Sequence, residues 1–217
     1  MRYNGVIFDL DGVICHTDMF HYRAWKSLAD RLGIYFDEEI NNRLRGVSRM
    51  ESLEIILERY AGRPLNPQEK INLAEEKNQV YKSLLMQMDE SYLTQDVKDT
   101  LVCLRDKGVK LAIGSSSKNA KLILDRIGMG GFFNGISDGT MIEFSKPHPQ
   151  VFLIAADMIS LKPKECLVIE DARAGIEAAI AGGFDSVGIG DAASDKHATY
   201  HINEFSEMLP IILGVKI

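Results

Sequence analysis

Cysteine is scarce in this chain. Only Cys15, Cys103 and Cys166 occur among 217 residues, odd in number and at no paired spacing. No disulfide framework is indicated, and because Cys103 and Cys166 fall where the pattern is apolar, reduced core thiols are expected. No apolar run approaches a membrane span, and the start lacks a charged segment followed by a long apolar stretch and a cleavage site. The expectation is a cytoplasmic protein with no membrane partner. Positive charge is also short, with 25 Lys and Arg against 31 Asp and Glu for a net charge of −6. That balance argues against a nucleic-acid partner, while leaving room for a locally basic pocket that takes a small phosphorylated ligand. At 46% apolar, the chain can bury a substantial core and has length for one ordinary domain plus a modest insertion.

What the chain does have is an early pair of carboxylates. The apolar run Gly5-Val6-Ile7 leads directly into Phe8-Asp9-Leu10-Asp11-Gly12-Val13. Read as a buried strand, this segment points Asp9 and Asp11 to one side and Phe8 and Leu10 to the other. Two carboxylates in one small volume raise each other's pKa unless a cation separates them, so the spacing asks for bound Mg²⁺ or for one protonated member. Both states serve phosphoryl transfer: one carboxylate attacks phosphorus while its neighbour handles the proton of the entering or leaving oxygen.

Three further segments follow. Val109 to Gly114 reads as a strand that stops at Ser115-Ser116-Ser117, with a helical pattern from Asn119 to Gly128; a hydroxyl and exposed amides at such a turn can hold a phosphate. Lys146, in Ser145-Lys146-Pro147-His148-Pro149, precedes a helix with Phe152, Ala155, Ala156 and Ile159 on its apolar face, and could neutralise phosphate oxygens and the nucleophile. The run Cys166 to Ile169 ends in Glu170-Asp171, which offers metal ligands at a strand's carboxyl end, where open parallel sheets bind their ligands. Each segment alone has a plainer reading: an acidic turn, a helix cap, a solvated loop lysine, an acidic helix start.

In order, Asp-x-Asp, Ser after a strand, Lys-Pro and Glu-Asp resemble the four motifs of the haloacid dehalogenase superfamily of phosphatases and phosphomutases. The match covers nearly the whole chain. His16-Thr17-Asp18, His21, Arg23-Ala24-Trp25-Lys26, Arg45-Gly46-Val47-Ser48-Arg49, Ser115 to Asn119 and Ser145-Lys146-Pro147 are similar to the β-phosphoglucomutases within it. The resemblance implies an α/β fold with a doubly wound, Rossmann-like parallel sheet core and an inserted all-helical cap domain. It implies interconversion of β-D-glucose 1-phosphate and glucose 6-phosphate through an aspartyl phosphate and a 1,6-bisphosphate. Asp9 is then the nucleophile, Asp11 the general acid and base, and Lys146 and His21 further catalytic residues. Mg²⁺ is the implied cofactor, held by Asp9, Asp11, Glu170 and Asp171, with Asp171 a direct ligand and Glu170 acting directly or through water. The substrate-side residues are Thr17, Trp25, Arg45, Gly46, Val47, Ser48, Arg49, Lys77, Ser115, Ser116, Ser117 and Asn119. Among them Arg45 and Arg49 would hold the phosphate that is not reacting, and Lys77 the sugar hydroxyls. His21 is expected to bond Asp11 only when the cap is closed. The sequence departs from the family at His16, commonly Asp, and at Ser116, often alanine.

The same core motifs also fit a Mg²⁺-dependent phosphatase acting on a small sugar phosphate or phosphoglycolate, and a mutase of another aldose phosphate. Only His21, Arg45, Arg49 and Lys77 favour the mutase. A catalytically inactive binding protein on this fold would be signalled by loss of Asp9 or Asp11, and both are present.

The pattern changes in the middle of the chain. Residues 1-15 and 92-217 alternate apolar runs with amphipathic helices, as a parallel sheet requires, whereas 16-91 read as helical and charged with no convincing strand. Trp25, Leu28, Ala29 and Leu32 mark one helical face; Leu53, Ile56, Leu57 and Tyr60 mark another; Ile71, Ala74, Tyr81, Leu84 and Leu85 recur less regularly. By spacing, Trp25 and Tyr60 are core residues. Because water destroys an aspartyl phosphate, an enzyme that passes phosphate to a sugar must cover its site, and a helical insert after the first strand would do so. Thr17 and the segment from Asp89 to Thr94 are the expected hinges. Such a lid needs no partner, so a monomer is the simplest assembly.

Overall fold

The computed structural model describes residues 1–44 and 47–214. In chain order its elements are β1 (Gly5–Phe8), α1 (Asp18–Arg31), α2 (Glu38–Asn42), α3 (Arg49–Leu57), α4 (Pro67–Leu85), α5 (Gln95–Asp106), β2 (Lys110–Gly114), α6 (Ala120–Arg126), β3 (Gly135–Ser137), α7 (Gln150–Met158), β4 (Cys166–Glu170), α8 (Arg173–Ala181), β5 (Asp185–Gly188), β6 (Tyr200–His201) and α9 (Met208–Leu213). The six strands form one sheet in the order β3-β2-β1-β4-β5-β6, and every pair is parallel. The α/β doubly wound core expected from the sequence is present.

The pleat explains why β1, β2 and β4 read as unbroken apolar runs. Val6, Phe8, Leu111, Ile113, Leu167 and Ile169 face one side, where they pack with Leu101 and Leu104 of α5, Ile123 and Leu124 of α6 and Ile212 of α9. Ile7, Ala112 and Val168 face the other, against Val151, Phe152, Ala155 and Ala156 of α7 and Ala178 and Ala179 of α8. Both faces are covered, so alternation with polar residues never appears. The strand order reverses beside β1, and a ligand crevice is expected outside the carboxyl ends of β1 and β4.

Between β1 and β2 every element among the described residues is helical. Local chemistry sets their starts: Asn66 and Glu69 form a capping box at α4 with Pro67 in its first turn, Ser48 and Glu51 do the same for α3, and Thr94 caps α5. Trp25, Leu28, Ala29, Ile34, Phe36, Ile40, Leu44, Leu53, Ile56 and Ala74 form a core of their own, separate from the two against the sheet. Phe20 and Ala24 of α1 and Tyr81 and Leu85 of α4 belong instead to the sheet's core, so these two helices carry the link between the parts. We propose, on this separation of cores, the division into 1-15 with 92-217 and a cap of 16-91. Tyr60 differs from its expectation: α3 ends at Leu57, and Tyr60 is only half buried. Ile71 is exposed at 50% because it faces a cavity mouth instead of a helix. Among the described residues no helix is long and apolar enough to cross a membrane.

Candidate active site

A cavity of about 1130 Å³ lies between the carboxyl ends of the strands and the helical segment. Its floor comes from the sheet. Strand β1 ends at Phe8, and the Asp9 amide, donating to the Ile169 carbonyl at 2.9 Å, carries the parallel pairing one residue further. Phe8 and Leu10 point into the core while Asp9 and Asp11 line the cavity, the two-sided arrangement read from the sequence.

Lys146 is the centre of the floor. It is 3% exposed, its ammonium donates to Asp9 and, at 2.5 Å, to Glu170 Oε1, and it lies 4.7 Å from the centre of the Phe152 ring. Burial pulls its pKa down, but the Asp9 and Glu170 carboxylates outweigh that and hold it above the ordinary lysine value. Three of the acids near it are raised as well, in their case by burial itself. Burial raises Asp9 to about 7, against the pull of Lys146, with Glu170 and Asp11 adding to the rise. Burial, then Glu170 and Asp9, push Asp171 up to about 9. Asp11 is raised to about 6, by burial again, with the Thr17 hydroxyl bonded to it acting in the opposite sense. A carboxyl poised near 6 can both hold and release a proton close to neutrality.

Two glycines make this crowding possible. At Gly12, where φ is +88°, a Cβ would fall 2.1 Å from Asp171 Oδ2; at Gly175 it would fall 1.9 Å from Glu170 Oε1. Neither position has room for a side chain while the acids stay in place. Gly175→Ala is therefore expected to drive Glu170 off Lys146, lower stability by about 1–3 kcal/mol and reduce turnover; a urea titration beside a rate assay checks both.

The donor set fits a hard cation, with Glu170 set behind the other acids. Both Glu170 oxygens are engaged, by Lys146 and by the Ala172 amide at 2.8 Å, and Asp11 takes the Thr17 hydroxyl. Among the described residues no three His, Cys, Asp or Glu side chains form a ready cation cage. Asp9 gives one oxygen to Lys146 and keeps the other, as Asp11 does beside Thr17, and Asp171 completes the set; one or two carboxylates with water and phosphate oxygens are what Mg²⁺ commonly takes. Because these carboxyls titrate higher in the fold than in the unfolded chain, the metal-free fold loses their stabilising protons as pH rises from about 4, Asp9 near 7 and Asp171 near 9. A cation competes with those protons. The gain in Tm from added Mg²⁺ is thus expected to grow from pH 5 to pH 9 and to be largely lost in Asp171→Asn, as differential scanning would read.

The phosphate-loop expectation has a clear local basis. Ser115, following β2, is buried; its amide donates to the Ser137 carbonyl and its Oγ accepts from the Ser117 amide at 3.1 Å, so its hydroxyl proton is left to donate. Ser116, Ser117 and Asn119 all line the cavity, and the Ser117 Oγ accepts from the Asn119 amide. The Ser116 hydroxyl is buried without a partner among the described residues.

The roof comes from the helical segment. Trp25, Val47, Ser48, Arg49 and Lys77 line it. Lys77 lies 4.6 Å from the ring centres of both Trp25 and Tyr81 and 3.0 Å from His21 Nδ1. Burial, then the Arg49 charge, lowers Lys77 to about 7; burial, then Lys77 and Arg49, hold His21 well below its usual value, so its imidazole is neutral. Here His21 engages Lys77 and Asp11 engages Thr17; the His21–Asp11 bond was expected only with the cap closed. Thr17 departs from its expectation as a substrate contact. It is fully buried beneath Asp11, its oxygen accepting from the Tyr81 hydroxyl at 3.0 Å. The Ser48 oxygen caps α3, which aims Arg49 at the cavity from the first turn. Arg45 and Gly46 lie outside the described residues. From the sequence, Asn78 was not singled out and Tyr81 was read only as part of an apolar face. Their signal was present, since Lys77-Asn78 interrupts the apolar spacing of α4 between Ala74 and Tyr81.

A parallel sheet reversed beside β1, with a buried lysine between carboxylates at its carboxyl ends, defines an α/β enzyme whose catalytic site sits on the strand tips. Sequence comparison agrees: the description of haloacid dehalogenase-like hydrolases matches residues 3–183. The chain is 38% identical over 204 residues to the β-phosphoglucomutase of Bacillus subtilis, covering 94% of this chain and 90% of that protein. It is 31% identical to the fructose-1-phosphate phosphatase YqaB of Escherichia coli, covering 87% and 97%. The crystal structure of a β-phosphoglucomutase from Clostridium difficile matches with a TM-score of 0.90 at 35% identity, over 98% of this chain and 96% of that one. The chain belongs to the haloacid dehalogenase family and is an enzyme of that family.

Proposed function

We propose that the protein is a β-phosphoglucomutase, interconverting β-D-glucose 1-phosphate and glucose 6-phosphate. One observation carries the reading: a single cavity sets Asp9, Asp11 and Lys146 on its floor against Arg49, Lys77 and Asn119 on its walls, so that positive and amide donors exist for a second phosphate away from the nucleophile. The similarity to two β-phosphoglucomutases supports it.

The residues divide the work as follows. Phosphorylated Asp9 presents its phosphoryl group; Asp11 takes the proton of the sugar's 6-hydroxyl as that oxygen attacks phosphorus and the bond to Asp9 breaks. The bisphosphate turns round. Asp9 then attacks the phosphorus on the C1 oxygen, that P–O bond breaks, and Asp11 returns its proton to the departing oxygen, leaving glucose 6-phosphate and phosphorylated Asp9. Lys146 balances charge on Asp9 and the transferring oxygens, and Ser115 with the Ser116 amide holds those oxygens. Mg²⁺, held by Asp9 and Asp171 with Glu170 behind them, supplies further charge neutralisation at the phosphoryl group when bound. Arg49 suits the other phosphate through its forked donors. The helical roof keeps water from the aspartyl phosphate.

The test is phosphorus NMR of the protein with Mg²⁺, β-glucose 1-phosphate and a trace of the 1,6-bisphosphate. Glucose 6-phosphate without matching free phosphate is the expected result. Free phosphate as the main product would move the assignment to a sugar phosphatase, the activity the E. coli relative carries in its name.

A further inference from the structure

Asn119 and Asn78 form a hydrogen bond that joins the two halves of the cavity wall. Asn119 precedes α6 on the sheet side, Asn78 lies within α4 of the helical segment, both are buried, and Asn119 Nδ2 donates to Asn78 Oδ1 at 3.0 Å. The orientation of both amides follows from a third residue. Glu75, one turn earlier on α4, accepts from Asn78 Nδ2 at 3.4 Å and from Gln79 Nε2 at 2.7 Å on Oε1, while its Oε2 faces Arg49 Nη1 at 3.4 Å. A carboxylate only accepts, so it takes the NH₂ end of Asn78 and turns that residue's carbonyl toward Asn119; the carbonyl in turn demands the NH₂ end of Asn119. One N–H of that NH₂ group is spent on Asn78, and the other remains as a donor.

We propose that Glu75 and Asn78 are positioning residues for a second phosphate: they hold Asn119 and Arg49 as donors on the cavity wall and make the Asn119 donor conditional on the helical segment being docked on the sheet. This rests on the two-phosphate reading above. A phosphate accepts hydrogen bonds and offers none when fully ionised, so an Asn119 flipped to present its carbonyl would repel it. The Glu75 carboxylate therefore acts at a distance, by fixing which end of each amide faces which neighbour. Glu75 itself is about half exposed, and its contact with Arg49 is long enough to be given up when a doubly charged phosphate arrives.

The experiment uses the full chain carrying Asp9→Asn, so that no turnover occurs, and compares binding of β-glucose 1,6-bisphosphate with binding of inorganic phosphate by titration calorimetry. The bisphosphate should bind far more tightly. Adding Asn78→Ala should cut that advantage by about tenfold, with inorganic phosphate unchanged. Glu75→Gln, a surface replacement that leaves the fold intact but frees the amides to flip, should cut it in the same direction by a smaller factor. An advantage that survives both replacements overturns the inference alone. Bisphosphate that binds no more tightly than inorganic phosphate before either replacement overturns the two-phosphate reading and the inference with it. Equal weakening of both ligands by Asn78→Ala would mark a structural role and also overturn it.

Discussion

Asp9→Asn is expected to abolish phosphoryl transfer, by at least about 10⁴-fold or ~5.5 kcal/mol of barrier. The amide has no carboxylate oxygen to attack phosphorus, and of its neighbours Asp171 would be held by the cation. Asp11 is bonded to Thr17 and Glu170 is held by Lys146 and the Ala172 amide, so neither acid is free to reach the same phosphorus. The fold should survive, because Lys146 keeps Glu170 as a charged partner and the side-chain volume is unchanged. Two measurements on one sample check this: a rate assay, and mass spectrometry for the 80 Da addition of a phosphoryl group, about the mass of HPO₃, after exposure to an acyl phosphate donor. Wild-type protein should show the addition and the variant none. Residual turnover within tenfold of wild type would remove Asp9 from its proposed role.

Lys146→Met should be the most costly substitution for stability and a severe one for activity. The ammonium is buried between two buried carboxylates, and removing one partner of such a group leaves uncompensated charge, at a cost of about 3–5 kcal/mol. The sign with pH is definite. Without the lysine, Asp9 and Glu170 repel across a short gap and the pKa of Asp9, which Lys146 holds down, rises further above its unfolded value, so the variant is relieved by protonation. The gap to wild type should be narrower at pH 5 than at pH 8, by urea unfolding of metal-free protein at both values. Turnover should fall by about 10³-fold even where the variant is folded, since the charge that balances the transferring oxygens is gone. A gap that does not change between the two pH values would show that Lys146 stabilises the fold by packing alone.

The sequence made the centre of this molecule readable and its edges not. Strands β1, β2 and β4 sit inside the sheet with both faces covered, so each appears as a run of consecutive apolar residues that ends at a chemically distinctive one: Asp9, Ser115, Glu170. Strands β3 and β6 are short, β5 is no longer than β1 but mostly polar or glycine, all lie toward the sheet's margins, and they contain Gly135, Asp185, Ser186 and His201; little in such segments distinguishes a strand from a loop. In the site, the floor was legible because its acids and lysine follow strands. The roof was harder, since Lys77 and Asn78 are polar residues buried on an amphipathic helix, and spacing alone registers them only as irregularity. Thr17 went astray because a hydroxyl near the site was expected to face the ligand, whereas this one is consumed by Asp11 and Tyr81. Partners of that kind are invisible until three dimensions supply them.

The register of β1 has a consequence for how the protein comes into being. Gly5 is matched to Lys110 on one side and to Cys166 on the other, so the strand that carries Asp9 is made first and finds both neighbours late. Closing loops of that size is entropically slow. The helical segment, whose contacts are far more local, has the means to assemble while β1 waits on the ribosome. Asp9 then acquires its full set of neighbours, Lys146 and Glu170, only after Glu170 has been synthesised. On the proposed mechanism, a nascent chain could not hold phosphate on Asp9 before nearly four-fifths of it exists, so catalytic competence would arrive as one of the last events of folding.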